Sequence, residues 1–216
     1  MKKLLQKVFT LSTKAGSRPK KGKNKSKGQS LVELTLTLPI ILMLFSGMVE
    51  FGFMLNDYLS LLDATRYSAR YYSTQTPLKD DGSDDMSFYS YASAAVMGQL
   101  EPDPHNPNGD TTRKITLNPA TDDVIISAYG VDASGNITDY PDSGPFHQYG
   151  NQHNPAVTEA TIRSQLVAGG PCEGILVVEV DYQYHQVLGL PWMAWLGNPI
   201  LPAYTIMPLQ AVEPVC

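Results

Sequence analysis

Between Leu34 and Leu55 the chain reads LTLTLPIILMLFSGMVEFGFML, 22 residues carrying a single ionisable side chain, Glu50. A helix needs about 20 such residues to cross a hydrocarbon core of about 30 Å, so this run is long enough to span a bilayer. The charges on either side set it apart from a buried helix of a soluble domain. Ten of the 16 cations, from Lys2 to Lys27, and none of the 21 acids precede Gly28. The remainder holds six cations against 21 acids, a net −15 concealed behind a whole-chain −5. Positive charge on one flank and Asn56-Asp57 on the other predict a single pass with the N-terminus in the cytoplasm and the bulk of the chain outside. A secretory signal peptide fits less well, because its apolar region is shorter and its basic region briefer than these.

The rest of the chain divides by composition. Residues 1–28 form a basic leader, rich in Lys, Gly, Ser and Asn after Thr13, that buries too little apolar surface to fold alone. The apolar run continues without Gly or Pro through Tyr58, Leu59, Leu62, Ala69 and Tyr72, at helical spacing. One helix from about Ser30 to Tyr72 is predicted, lipid-soluble first and amphipathic afterwards, in a segment 29–73. An extracytoplasmic α+β domain follows over 74–216. It contains a helix over Met86–Leu100 capped by Asp84 or Asp85, and strands over Lys114–Leu117, Val124–Val131 and Ile137–Tyr140. Residues 141–155 read as surface loop and Val157–Val167 as a short helix. Two further strands, Ile175–Tyr184 and Ala203–Val212, complete an antiparallel sheet, with Pro208 placing the last at an edge or bulge. In the first of these, Leu176, Val178, Val180, Tyr182 and Tyr184 face one way, and Glu179, Asp181 and Gln183 face the other.

Few residues recommend themselves for chemistry. His105, His147, His153 and His185 lack metal-ligand spacing, and no nucleophile elbow, phosphate-binding loop or dinucleotide signature occurs. The acidic stretches 80–85 and 103–110 lack calcium-loop spacing. The expectation is a protein that is not an enzyme and uses no metal and no cofactor. Its leader serves topology, with no nucleic-acid partner. Trp192 and Trp195 sit in an apolar loop broken by Gly and Pro, too short for a second span. They either cap the domain core or form a contact surface against the outer membrane interface or a neighbouring subunit. Cys172 and Cys216 flank the two C-terminal strands. Pairing Val180 with Pro208 would set them opposite one another, within reach of a disulfide. Glu33 opens the apolar run, where an ionisable group is costly without a partner. Taken alone it reads better as a first-turn acid at a helix N-terminus, favourable to the macrodipole.

Four patterns in order carry a family resemblance. They are Gly28-Gln29-Ser30-Leu31-Val32-Glu33, Leu38-Pro39, Glu50-Phe51-Gly52 and Ala64-Thr65-Arg66-Tyr67-Ser68-Ala69-Arg70. The region from about 27 to 72 resembles the N-terminal part of the TadE-like family, minor pseudopilins of the tight-adherence (Flp) pilus system. The resemblance implies a pilin-like, non-enzymatic component in assembly of that pilus, in a bacterial cytoplasmic membrane and incorporated in or attached to a surface filament. It implies a prepilin peptidase cutting between Gly28 and Gln29, with Glu33 as the fifth residue after the cut. A neighbouring subunit's Glu33 would then neutralise the new Gln29 amine. Pro39, Glu50, Arg66 and Arg70 become candidates for helix packing in the assembly. The implied partners are other pilins and pseudopilins, the assembly platform, the peptidase and membrane lipid. The residues alone leave a second reading open, a membrane-anchored module that binds a glycan or protein through Trp192 and Trp195.

Overall fold

A computed structural model describes residues 27–101, 115–165 and 172–212. The basic leader as far as residue 26, the acidic stretch 103–110, Lys114, residues 166 and 167 of the expected short helix, and Cys216 lie outside the described residues. The chain forms two units, Met1–Met43 and Leu44–Cys216. Helix α1, Lys27–Tyr72, contributes to both. In the first unit it is apolar on all sides beyond Glu33, and Leu36, Ile40 and Ile41 are exposed. A helix hydrophobic all round has no aqueous surface to present. Pro39 lies inside it, where proline gives up one amide donor. The hydroxyls of Thr35 and Thr37 donate back to the Leu31 and Glu33 carbonyls, so these polar groups are satisfied within the helix. Among the described residues this is the one helix long and apolar enough to cross a membrane.

The second unit is α+β, three layers deep. Its antiparallel sheet has the order β2-β1-β4-β5, with β1 Asp123–Val131, β2 Ile137–Tyr140, β4 Glu173–Gln183 and β5 Ile200–Pro208. The two-residue β3, Phe146–His147, also pairs with β1. One face carries Val124, Ile126, Ala128, Leu176, Val178 and Val180, packed with residues of the distal half of α1 and of α2, Met86–Leu100. Small α1 side chains permit the close approach. Ala64, Ser68 and Ala69 are buried, Ser68 Oγ donates to the Ala92 carbonyl at 2.7 Å, and the Thr65 and Thr205 hydroxyls meet at 2.9 Å. Asp85 caps α2 by accepting from the Ser87 amide at 3.0 Å. On the opposite face Tyr129, Val131 and Val177 pack with Val157 and Ile162 around α3, Glu159–Gln165.

Several expectations require correction. Ile115–Leu117 is not a strand, although Ile115 and Leu117 are buried. The Leu117 amide donates to Glu101 and the Asn118 amide to Asp122, so side chains replace a ladder. The loop 141–155 holds β3. Helix α3 begins two residues late, because the Ala156 and Val157 amides are held by the Glu179 carboxylate. The alternation in β4 separates two faces that are both covered: Glu179 and Asp181 are buried like Val178 and Val180, since the segment carrying α3 lies over their side. Leu59, expected in the buried stripe of α1, is exposed, and Leu61 takes the core position.

The register of β4 and β5 also differs. Val180 faces Ala203, and Pro208 faces Ile175. The connection is shorter on the β5 side than assumed, and β5 ends at Pro208 before a 3-10 turn at Gln210–Val212. The geometric argument for setting Cys172 opposite Cys216 therefore fails. Leu209 crosses over Gly174 instead, donating its amide to the Gly174 carbonyl at 2.7 Å. A Cβ at Gly174 would lie 1.9 Å from the Leu209 oxygen, so only glycine fits there. Pro208 does lie on an edge strand, as expected.

Candidate functional site at the helix exit

The apolar character of α1 gives way to amphipathic character around Glu50, and there the second unit closes on the helix. Glu50 is 2% exposed. Its Oε1 accepts from the Tyr184 hydroxyl at 2.7 Å and from the Val187 amide at 2.7 Å, and Oε2 accepts from the Leu188 amide at 2.9 Å. A carboxylate beside an apolar helix surface is costly unless it is hydrogen-bonded, and three donors meet that need. The donors come from the end of β4 and the loop after it. Tyr184 is fully buried, and its amide bonds the Pro199 carbonyl, so both sides of the connection are drawn together.

The same loop carries the tryptophans. Pro191–Leu196 is a 3-10 helix entered through Pro at its first position. Gln186 organises the loop from within, its Nε2 donating to the Met193 and Gly197 carbonyls at 2.9 and 3.1 Å. The Trp192 indole N–H donates to Ser46 Oγ of α1 at 3.2 Å, one helical turn before Glu50. Neither tryptophan caps the core: Trp192 is 41% and Trp195 83% exposed.

The other sequence candidates stand apart from this site. Gly28 and Gln29 lie in the first turn of α1, and Glu33 lies beyond that turn, which removes its reading as a first-turn acid. Glu33 is exposed, and its carboxylate has no partner among the described residues. Arg66 and Arg70 point outward from α1. Arg66 approaches Asp63 at 3.7 Å with both side chains largely exposed, a pair worth little to stability. Arg70 lines a shallow groove with Tyr67, Tyr71, Thr74 and Gln75. Cys172 directly precedes β4.

Buried acids also gather on the α3 side of the sheet. Asp123 pairs with His147 Nδ1 at 2.7 Å and accepts from the Tyr149 and Gln152 amides. Burial pushes Glu179 up to about 7 against the pull of its two amide donors, and raises Asp181 as well. Each of these acids has protein donors or a cross-strand neighbour, and no group of three or more His, Cys, Asp or Glu among the described residues is arranged to hold a metal. They fix loops.

Sequence reasoning missed Tyr184 and the Val187 and Leu188 amides as partners of Glu50. The available signal was Glu50 itself, the one ionisable residue in the apolar run, which requires compensation. That two of its three partners are backbone groups leaves no mark in the sequence.

Against known proteins, residues 28–70 match the family described as TadE-like protein. The match begins at the Gly-Gln-Ser-Leu-Val-Glu pattern and ends at Arg70, so it contains Glu33, Pro39, Glu50, Arg66 and Arg70. The family is pilus-associated and is not known for an enzymatic activity. The apolar helix within the match is consistent with membrane anchoring. No curated protein and no solved structure matches the chain.

Proposed function

We propose that this chain is a pseudopilin-type component of a tight-adherence pilus, spanning the cytoplasmic membrane once with its N-terminus inside. The match over residues 28–70 carries the reading. Its helix has two zones with different partners. The first zone is apolar except at Glu33, which is exposed without a partner among the described residues. The second satisfies Glu50 inside the same chain. Glu50 therefore joins helix to domain, while Glu33 has no such partner among the described residues. Prepilin peptidase cuts after Gly28, removes the ten leader cations and exposes the Gln29 amine. Glycine at the cut offers no side chain to obstruct a protease. Glu33 of one subunit then pairs with the Gln29 amine of a neighbouring pilin, and Arg66 and Arg70 face the same assembly from outside the membrane. After export Cys172 and Cys216 join, a pairing that rests on there being two cysteines in an exported domain and not on the strand register.

The test is association. In cells with an active pilus system, Glu33→Ala leaves the protein in the membrane but loses co-purification of partner pilins, and Glu33→Gln restores little of it. Undiminished co-purification with Glu33→Ala refutes the pairing.

A further inference from the structure

The loop after β4 is built for an apolar environment. From Gln186 to Val212 there is no Asp, Glu, Lys or Arg, in a region that otherwise carries most of the chain's acids. Val187, Leu188, Trp192 and Trp195 are exposed, as are Leu44, Phe45, Met48 and Phe51 on the adjoining stretch of α1. Two hydrogen bonds fix the level of the loop along the helix: Val187 meets Glu50, and Trp192 meets Ser46. Four residues separate these anchors, about 6 Å along the axis. The indole of Trp192 therefore lies on the apolar side of the last ionisable group in the run. The backbone is prepared for such a place. Met193 and Gly197 donate their amides within the 3-10 helix, and the Met193 and Gly197 carbonyls accept from Gln186. Polar backbone that enters lipid must be satisfied by the protein.

We infer that the 187–196 loop is a membrane-interface wedge, with Trp192 and Trp195 seated in the outer leaflet beside the span. This rests on the reading of α1 as membrane-spanning. The occupant is lipid because the exposed loop surface continues that of α1, with no charge at the boundary. Tryptophan is favoured where one end of a side chain is apolar and the surroundings are half wet. Glu50 belongs to the same arrangement, its charge buried under Tyr184 and the loop amides. The wedge fixes the height of the domain above the bilayer and limits its rotation about the helix, so the Arg66 and Arg70 face is held at one orientation to neighbouring subunits.

Trp192 and Trp195 are the only two tryptophans in the chain, so intrinsic emission reports this loop alone. The full-length Trp192→Phe protein, reconstituted in phosphatidylcholine vesicles, leaves Trp195 as the sole reporter. Its emission falls in vesicles whose lipids are brominated near the carbonyl end of the acyl chain, and aqueous acrylamide quenches it weakly. Trp195→Phe, reporting on Trp192, shows the same pattern. Strong acrylamide quenching with no effect of bromine overturns the wedge. Emission insensitive to both quenchers overturns it too, since a neighbouring subunit would then cover the loop. Alkaline carbonate extraction of the same vesicles separates this failure from that of the underlying reading. Protein that stays with the lipid while Trp195 is aqueous refutes the wedge alone, and protein released into the supernatant refutes the span and the wedge together.

Discussion

Removing the Glu50 carboxylate should unfasten the β4–β5 connection from α1, and the contacts allow a size to be worked out. Glu50→Ala deprives three donors of their acceptor, at 2.7, 2.7 and 2.9 Å. A hydrogen bond to a charged group contributes about 1.5–3 kcal/mol net. The three do not add in full. The variant is also relieved of a buried charge, which offsets part of the loss. The buried Tyr184 hydroxyl loses the Glu50 carboxylate as its acceptor. A destabilisation of about 3 kcal/mol is expected for Glu50→Ala, and about 1–2 kcal/mol for Tyr184→Phe, which leaves Glu50 its two amides. In the double variant the losses fall short of their sum, with a coupling of about 1.5–2 kcal/mol. Urea unfolding of the full chain in non-ionic detergent measures this, with tryptophan emission following the loop and far-ultraviolet circular dichroism following the whole. If the two single effects are additive within about 0.5 kcal/mol, the carboxylate does not hold Tyr184 and the account of the helix exit is wrong.

Two further outcomes follow from the second unit and its edge. Glu179 rises from an ordinary 4.5 to about 7 on burial, so the folded state binds its proton more tightly than the unfolded chain does. The resulting stabilisation, about 3 kcal/mol, is fully present below pH 4.5 and is lost as pH rises through 7. Urea midpoints of the wild type should thus decline more steeply between pH 5 and 8 than those of Glu179→Gln, and equal slopes would remove Glu179 as the cause. Non-reducing peptide mapping of exported protein should find Cys172 joined to Cys216, and recovery of both as alkylated thiols would exclude the bond.

Local signals in the sequence located elements well and partners poorly. Helix α2 and its Asp85 cap follow from a turn-forming acidic stretch before an apolar periodic run, and both stand as read. The β1–β2 hairpin follows from Asp132 to Asn136, where Asp132 accepts from the Ser134 and Asn136 amides and Gly135 takes φ 80°. Long-range pairing was less legible. The β4–β5 register depends on how many residues the Gln186-organised loop absorbs, which no local pattern encodes. Burial of Glu179 and Asp181 depends on a cover supplied by a segment some 20 residues earlier, so alternation alone gave their side of the strand and not their burial. At the helix exit the sequence displayed the costly group, Glu50, and the two tryptophans. It did not display that one loop serves both.

The central claim, that this chain is a membrane-spanning pilus component processed after Gly28, is tested most directly by intact mass. The protein is extracted from membranes of cells with an active prepilin peptidase and weighed whole. The account predicts a chain beginning at Gln29, lighter by the 28-residue leader with its ten cations. A mass that retains Met1 to Gly28 would contradict it.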